Sequence, residues 1–477
     1  MLKSRRQPLH RRAAEILRDD PERASAEPEV IAHHFTQAGL DDTAIEWWGR
    51  AGDHALRRSA FQEAIAHLGK AIEMADKTGE SRSTAATAST SANQRLKLQT
   101  SLGRALMWSR GYAADETRAA FIRARELATA IDNPNERFTV YLGLWTGNLL
   151  RGELRLAREI AETFLREAER GAGATECKAG RCLVGLTCLL QGDFLEAQAN
   201  LVETLSNYDP ERDGKARFRF GGDAGAVGRA YLAVTKWLLG EVGPSRALIE
   251  EAVVRATELN HIPTLVHVYF YKVHLEMVRG DAAGIRRTAE ILIKLGQENE
   301  LPFYSILGTL ASAWAGARLQ SREFGVTELR QSLATFTGQG NKAKMPFYQG
   351  LLAEFEAEGD AAGALTRIDE AIALASENGE HWSDAFLHRL RGEILLKRDP
   401  AKMAPAEEAF LSAIAVAQQQ KARSFELQAA LSLAKLYQST GRPLDAHAVL
   451  APALEGFSPS PEMPEIAEAQ ALTERLS

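Results

Sequence analysis

A chain of 477 residues exceeds what one hydrophobic core holds, so it forms several domains or one elongated array of repeats. Hydrophobic residues at 45% and charged residues at 25% fit a folded protein and exclude a disordered one. The net charge of −6 provides no general attraction to nucleic acid or to an anionic membrane surface.

The chain opens on MLKSRRQPLHRR, which has no apolar core and does not read as a signal peptide. Its first 25 residues are locally basic, with Lys3, Arg5, Arg6, Arg11, Arg12, Arg18 and Arg23 against Glu15, Asp19, Asp20 and Glu22. A solvated helix face accounts for this pattern as well as a nucleic-acid contact does. Residues 1–75 read as an N-terminal helical segment. The stretch 76–94, DKTGESRSTAATASTSANQ, is rich in Ser, Thr and Ala and reads as a flexible joint. Residues 95–477 form the main array.

Within that array an apolar helix, a glycine beside a polar or acidic residue, and a second Ala/Leu-rich helix recur. LVGLTCLLQGDFLEAQANL and LAKLYQSTGRPLDAHAVLAPAL are examples. Turns fall at Gly111, Gly152, Gly192, Gly240, Gly280, Arg322, Gly359, Asp399 and Gly441, with spacings of 37 to 48 residues and a mean of about 41. That period lies between tetratricopeptide and HEAT lengths. Glycine just past a helix adopts the left-handed conformation that satisfies the last carbonyls. Five places after a turn stand Ala157, Ala197, Ala364 and Ala446, where a methyl group lets the partner helix approach closely. Pro244, Pro302, Pro346, Pro405 and Pro443 mark helix starts. The longer interval between Gly192 and Gly240 contains an insert, Asp209–Gly222. Leu301–Ala317 is uncharged but interrupted by Pro302 and polar residues, and reads as a core-facing helix rather than a membrane span. No alternating strand pattern is evident. The expected fold is all-α: a right-handed superhelical solenoid of tetratricopeptide-like hairpins, each too small to bury its apolar face without its neighbours.

No catalytic or cofactor motif emerges. There is no GxxxxGK[ST], and Gly222, Gly225 and Gly228 lack the spacing and preceding strand of a dinucleotide loop. Cys177, Cys182 and Cys188 are too few and oddly numbered for a disulfide framework, which fits a reducing cytosol, and their helical offsets do not converge on one metal. His267 and His274 share a helix face but stand two turns apart, and His33 and His34 point apart. His381, Asp384 and His388 are the best metal-ligating set of a poor field. The reading is therefore no enzyme, no metal and no cofactor. Aromatic residues, most of them on first helices, are more suggestive: in such superhelices the first helices line the concave groove where peptides or helices dock. Tyr271, His274, Trp382, His388 and Arg389 are the candidate exposed groove residues, the other aromatics being inter-repeat packing.

The wording of the repeats is itself specific. SRRQPLHRRAAEIL and PEVIAHHFTQAGLDDTAIEWWGRAGDHALRRSAFQEAIAHLGKAIEM near the start, GYAADETRAAFIRARELA and FGGDAGAVGRAYLAVTKWLLGE further on, and GEHWSDAFLHRLRGEILL and GRPLDAHAVLAPALEGF towards the end carry a resemblance over nearly the whole chain. It resembles the C-terminal tetratricopeptide region of bacterial multidomain signalling proteins. Those begin with a class III adenylate/guanylate cyclase or a DNA-binding winged helix, followed by an AAA-type ATPase module. The resemblance makes the first 35 or so residues the tail of the ATPase–solenoid junction, places the cyclase and P-loop modules outside this chain, and carries over no catalytic residue. It implies a cytoplasmic sensor or protein-interaction arm whose partner is a protein, for instance a cyclase or P-loop ATPase chain, with no nucleic-acid or membrane partner. Two alternatives stay open: the regulatory part of a cyclase/ATPase whose catalytic half is supplied elsewhere, and a solenoid holding a small-molecule effector.

Overall fold

The computed structural model describes residues 3–79, 85–129, 134–171, 173–206, 208–320 and 322–476, and among them every regular element is a helix. Hairpins pair Ala174–Gln191 with Phe194–Leu205, Ala224–Leu238 with Val242–Glu258, Met345–Glu356 with Ala361–Asn378, Asp384–Arg398 with Met403–Gln420, and Arg423–Ser439 with Pro443–Leu454. Six of the expected turn glycines, from Gly111 (φ +107) to Gly441 (φ +72), are left-handed. Asp399 closes its helix with φ −150, and Arg322 opens the helix Arg322–Gly338. Ala157, Ala197, Ala364 and Ala446 are completely buried, as close helix approach requires.

The chain divides into two compact units: Met1–Gly147 with Glu298–Pro302, and Asn148–Gln297 with Phe303–Ser477. The expected joint at 76–94 is not where they part. Phe61–Gly79 and Ala85–Arg110 are helices that enter it from both sides, and residues 80–84 lie outside the described residues. Its alanines, read as part of a flexible composition, are also the best helix formers.

In the first unit, Trp48 is buried between hairpins, stacked on His67 at 5.3 Å and donating from Nε1 to Thr36 Oγ1 at 3.0 Å. His33 and His34 do not diverge as expected: both rings lie within 6.4 Å of His10, and His10 and His34 share a 2.8 Å Nδ1···Nδ1 hydrogen bond.

The second unit closes on itself. Helix ends facing inward have orphan carbonyls, and here residues nearly five repeats later satisfy them. The amides of Lys342 and Ala343 donate to the Leu150 carbonyl at 2.7 and 3.1 Å, the Trp382 amide to Leu190 at 3.2 Å, and Ser424 Oγ to Trp237 at 2.5 Å. Arg279 pairs with Glu462 at 2.5 Å in the same register. Gly192 is needed where the layers meet: its φ is +84, and a Cβ there would stand 2.4 Å from Gln420 Nε2. The insert is folded into short helices. Asp213 in it is buried, and against that burial Arg212, the Asp209 amide and Thr175 draw its carboxyl down to about 2.

Candidate functional site

The first helices of the second unit converge on a buried polar centre. Ile262–Val278 contributes His267, Phe270, Tyr271 and His274; the start of Met345–Glu356 contributes Lys344 and Tyr348; and the turn before Asp384–Arg398 contributes Glu380 and Trp382. Helix Ile262–Val278 buries residues around its whole circumference, so some of the polar ones must be enclosed.

Lys344 organises the centre. Its backbone is left-handed (φ +64), which costs a non-glycine residue on the order of 1 kcal/mol. Glu380 holds it there, both carboxylate oxygens accepting from the Lys344 amide at 2.8 and 2.9 Å. Glu380 Oε1 also accepts from Trp382 Nε1 at 2.8 Å. The Lys344 ammonium lies among aromatic rings, its Nζ 4.9 Å from the Tyr271 centroid, 5.4 Å from Phe270 and 5.5 Å from Trp382. Among the described residues it has no hydrogen-bond acceptor, although Lys344 is only 6% exposed. His274 lies 4.9 Å from Trp382, ring to ring, and its Nδ1 is sealed without a partner.

Burial dominates the electrostatics. It pushes the Lys344 amine down to about 7 against the pull of Glu380. It pushes the Glu380 carboxyl up to about 7 against Trp382, the Lys344 amide and the Lys344 charge. The His274 imidazole falls well below its usual value through burial and then the nearby Lys344 cation. The same two causes take His267 to about 4, and its ring hydrogen-bonds the hydroxyls of Tyr231 at 2.6 Å and Tyr304 at 3.2 Å. Such an enclosed pair of opposite charges titrates as a unit.

Three of the five candidate groove residues thus meet: Tyr271, His274 and Trp382, with 1–2% of their surface exposed. Their expected exposure is corrected by the second unit's closure, which fills the space an open groove would leave. His388 and Arg389 lie further along Asp384–Arg398; His388 is half-buried, and Arg389 pairs with Glu393 at 2.5 Å. Lys344 and Glu380 escaped the sequence reading. Each is a charged residue in the turn before a first helix, 36 positions apart, and that repeated position was the available signal. His381 and Asp384 do pair at 2.8 Å, but no group of three His, Cys, Asp or Glu among the described residues could hold a metal. Cys177, Cys182 and Cys188 are free thiols, and burial raises Cys182 and Cys188 to about 12. No described helix is long and apolar enough to cross a membrane.

An open cleft of about 730 Å³ lies elsewhere in the same unit, beside Arg330, Glu356 and Arg367. Its charges are mutually satisfied: Glu356 accepts from Arg330 at 2.8 Å and from Arg367 at 2.6 Å.

No family model matches the chain. A curated relative, an uncharacterized protein of Rhizobium meliloti (strain 1021), is 25% identical over 448 residues, which is 93% of this chain and 42% of that protein. The chain therefore spans less than half the length of that relative. Among solved structures, the Rap protein complexed with competence and sporulation factor aligns over 79% of this chain and 98% of its own, with a TM-score of 0.55 and 9% identity. Yeast Tom70 aligns over 98% of this chain and 96% of its own, with a TM-score of 0.33 and 12% identity. The Rap likeness and the hairpin geometry define the class: a tetratricopeptide-like superhelical solenoid.

Proposed function

We propose that this chain is a non-catalytic interaction and sensor module of a bacterial signalling protein, working in the cytoplasm. The observation that carries the reading is the fold, which matches nearly all of the Rap chain, a protein solved with a competence and sporulation factor bound. The resemblance of the repeats to the arm of cyclase- or winged-helix-linked ATPases supplies the setting. A relative more than twice as long leaves room for such an output. In this reading the partner is a cyclase or P-loop ATPase chain, and the array passes a binding event to it.

Affinity capture of the tagged full chain from its native cytosol, followed by mass spectrometry, tests this. Recovery of a cyclase or P-loop ATPase supports a regulatory arm, including one that completes a catalytic half encoded elsewhere. Recovery of unrelated proteins alone, or of none, counts against it. A second reading, a solenoid that senses a small molecule, is favoured by one observation: buried polar groups of the second unit without protein partners. Stabilisation by a metabolite with no partner captured selects that reading.

A further inference from the structure

Buried polar groups are almost always hydrogen-bonded, and each exception requires an explanation. Around Lys344 the exceptions cluster. Its Nζ and the hydroxyls of Tyr271 and Tyr348 make no hydrogen bond to a described residue yet are not sealed, whereas His274 Nδ1 is sealed without a partner; all four side chains are at least nine-tenths buried. They belong to one neighbourhood. Lys344 Nζ sits 4.9 Å from the Tyr271 ring, Tyr348 lies one turn beyond Lys344, and Tyr271 feels the charges of Tyr304, Tyr348 and Glu380. The neighbouring His267 is enclosed enough for burial to depress it strongly, yet its ring is not sealed. Interior space reaches the lysine and the two hydroxyls, which are unpartnered yet unsealed, but not His274 Nδ1.

The open unpaired groups are three donors, and the nearest carboxylate, Glu380, is already occupied by the Lys344 amide and Trp382. Such a set complements oxygen acceptors bearing negative charge. Around it stand Phe270, Phe347, Phe386 and Trp382, whose rings suit an apolar or aromatic body: Trp382 lies 4.9 Å from Phe347, and Phe347 5.0 Å from Phe386. We propose that Lys344, Tyr271 and Tyr348, beside the sealed His274, form an internal binding site for a small organic carboxylate, its oxygens taken by the lysine and the tyrosine hydroxyls and its body by the surrounding rings. The proposal rests on the small-molecule reading above and names the ligand class.

The charge balance gives it a pH signature. The titratable groups whose charge meets that of Lys344 are His267 and His274 from one helix and Glu380 from the turn before the next, with the Tyr271 ring 4.9 Å away and Tyr348 on its own helix; Tyr304 adjoins Tyr271, and Asp384 adjoins Glu380. Of these, Lys344 and Glu380 titrate near neutrality. An incoming anion favours the protonated form of both, so binding takes up a proton and weakens as pH rises above about 7.

Isothermal titration of the full chain with sodium benzoate, with benzylamine as the cationic counterpart, tests the site. The expected result is saturable one-to-one binding of benzoate, up to about tenfold weaker per pH unit above neutrality, and no binding of benzylamine. Lys344→Met abolishes it. The pair Tyr271→Phe and Tyr348→Phe, which keeps both rings, weakens it at least roughly tenfold. Where Lys344→Met unfolds the chain, the tyrosine pair decides. Absence of saturable benzoate binding overturns the site. So does binding indifferent to the tyrosine pair, which would mean an adventitious additive only. If benzoate fails while a cyclase or ATPase is captured, the interaction reading stands and the site falls. If benzoate binds and nothing is captured, the small-molecule reading stands alone.

Discussion

First and second helices of the hairpins live in different environments. Ile262–Val278 and Ala174–Gln191, both first helices, bury twelve residues each, spread around their circumference. The second helices Val242–Glu258 and Ala361–Asn378 bury five each, on one stripe. In an open solenoid the first helices would keep a concave face in solvent. Here the next turn of the second unit covers that face, and the carbonyls of Leu150, Leu190 and Trp237 are satisfied from it. Position within the hairpin therefore governs how costly a change is, and charged residues of the interior such as Asp213, Glu276, Lys344 and Glu380 stand beside a polar or oppositely charged partner.

The sharpest contrast comes from charge removal. Glu380→Ala strips the acceptor from the Lys344 amide and Trp382 and leaves a buried cation, so the second unit should lose about 3–5 kcal/mol in denaturant unfolding. Glu159→Ala, on the exposed side of a second helix, should stay within about 0.5 kcal/mol. The double change Lys344→Met with Glu380→Gln should cost less than the sum of the two single changes. Equal losses at Glu380 and Glu159 would erase the distinction between the layers.

Truncation of apolar side chains follows the same order. Leu275→Ala, 1% exposed on a first helix, should cost about 2–5 kcal/mol. Val254→Ala, 58% exposed on a second helix, should cost no more than about 0.5 kcal/mol. Next comes Ala364→Trp, which overpacks a fully buried contact between partner helices and should cost about 1–3 kcal/mol. An unchanged midpoint would place Ala364 in the wrong register.

The buried pair also makes stability depend on pH. The carboxyl of Glu380 is raised in the fold, so its stabilising contribution is present near pH 4.5 and is lost as pH rises to about 7. Lys344 is lowered in the fold, so its contribution is lost as pH falls from 10.5 to about 7. Together they predict a minimum of thermal stability near neutrality, absent in the Lys344→Met, Glu380→Gln double variant. A monotonic profile shared by both proteins would show that the pair does not titrate as described.

Much of this architecture was legible in the residues. The glycine turns, the alanine five places on and the prolines at helix starts each follow from local chemistry, and the structure carries them out at Gly192, Ala197 and Pro302. What one repeat could not reveal was the closure between residues almost five repeats apart, because a hydrogen bond from the Trp382 amide to Leu190 uses backbone groups and leaves no mark on sequence. For that reason Tyr271, His274 and Trp382 were assigned to a surface they do not occupy. Lys344 was hidden for a related cause: nothing local requires a lysine to take a left-handed backbone, and the carboxylate that holds it stands 36 residues away.

Amide hydrogen exchange of the turn segments around 342–344 and 380–383 tests the closure most directly. If those amides are bonded to Leu150, Leu190 and Glu380, they should be protected to nearly the level of the helices that follow them. Exchange at the rate of free loop amides would mean that the layers do not meet and that the first helices border an open groove.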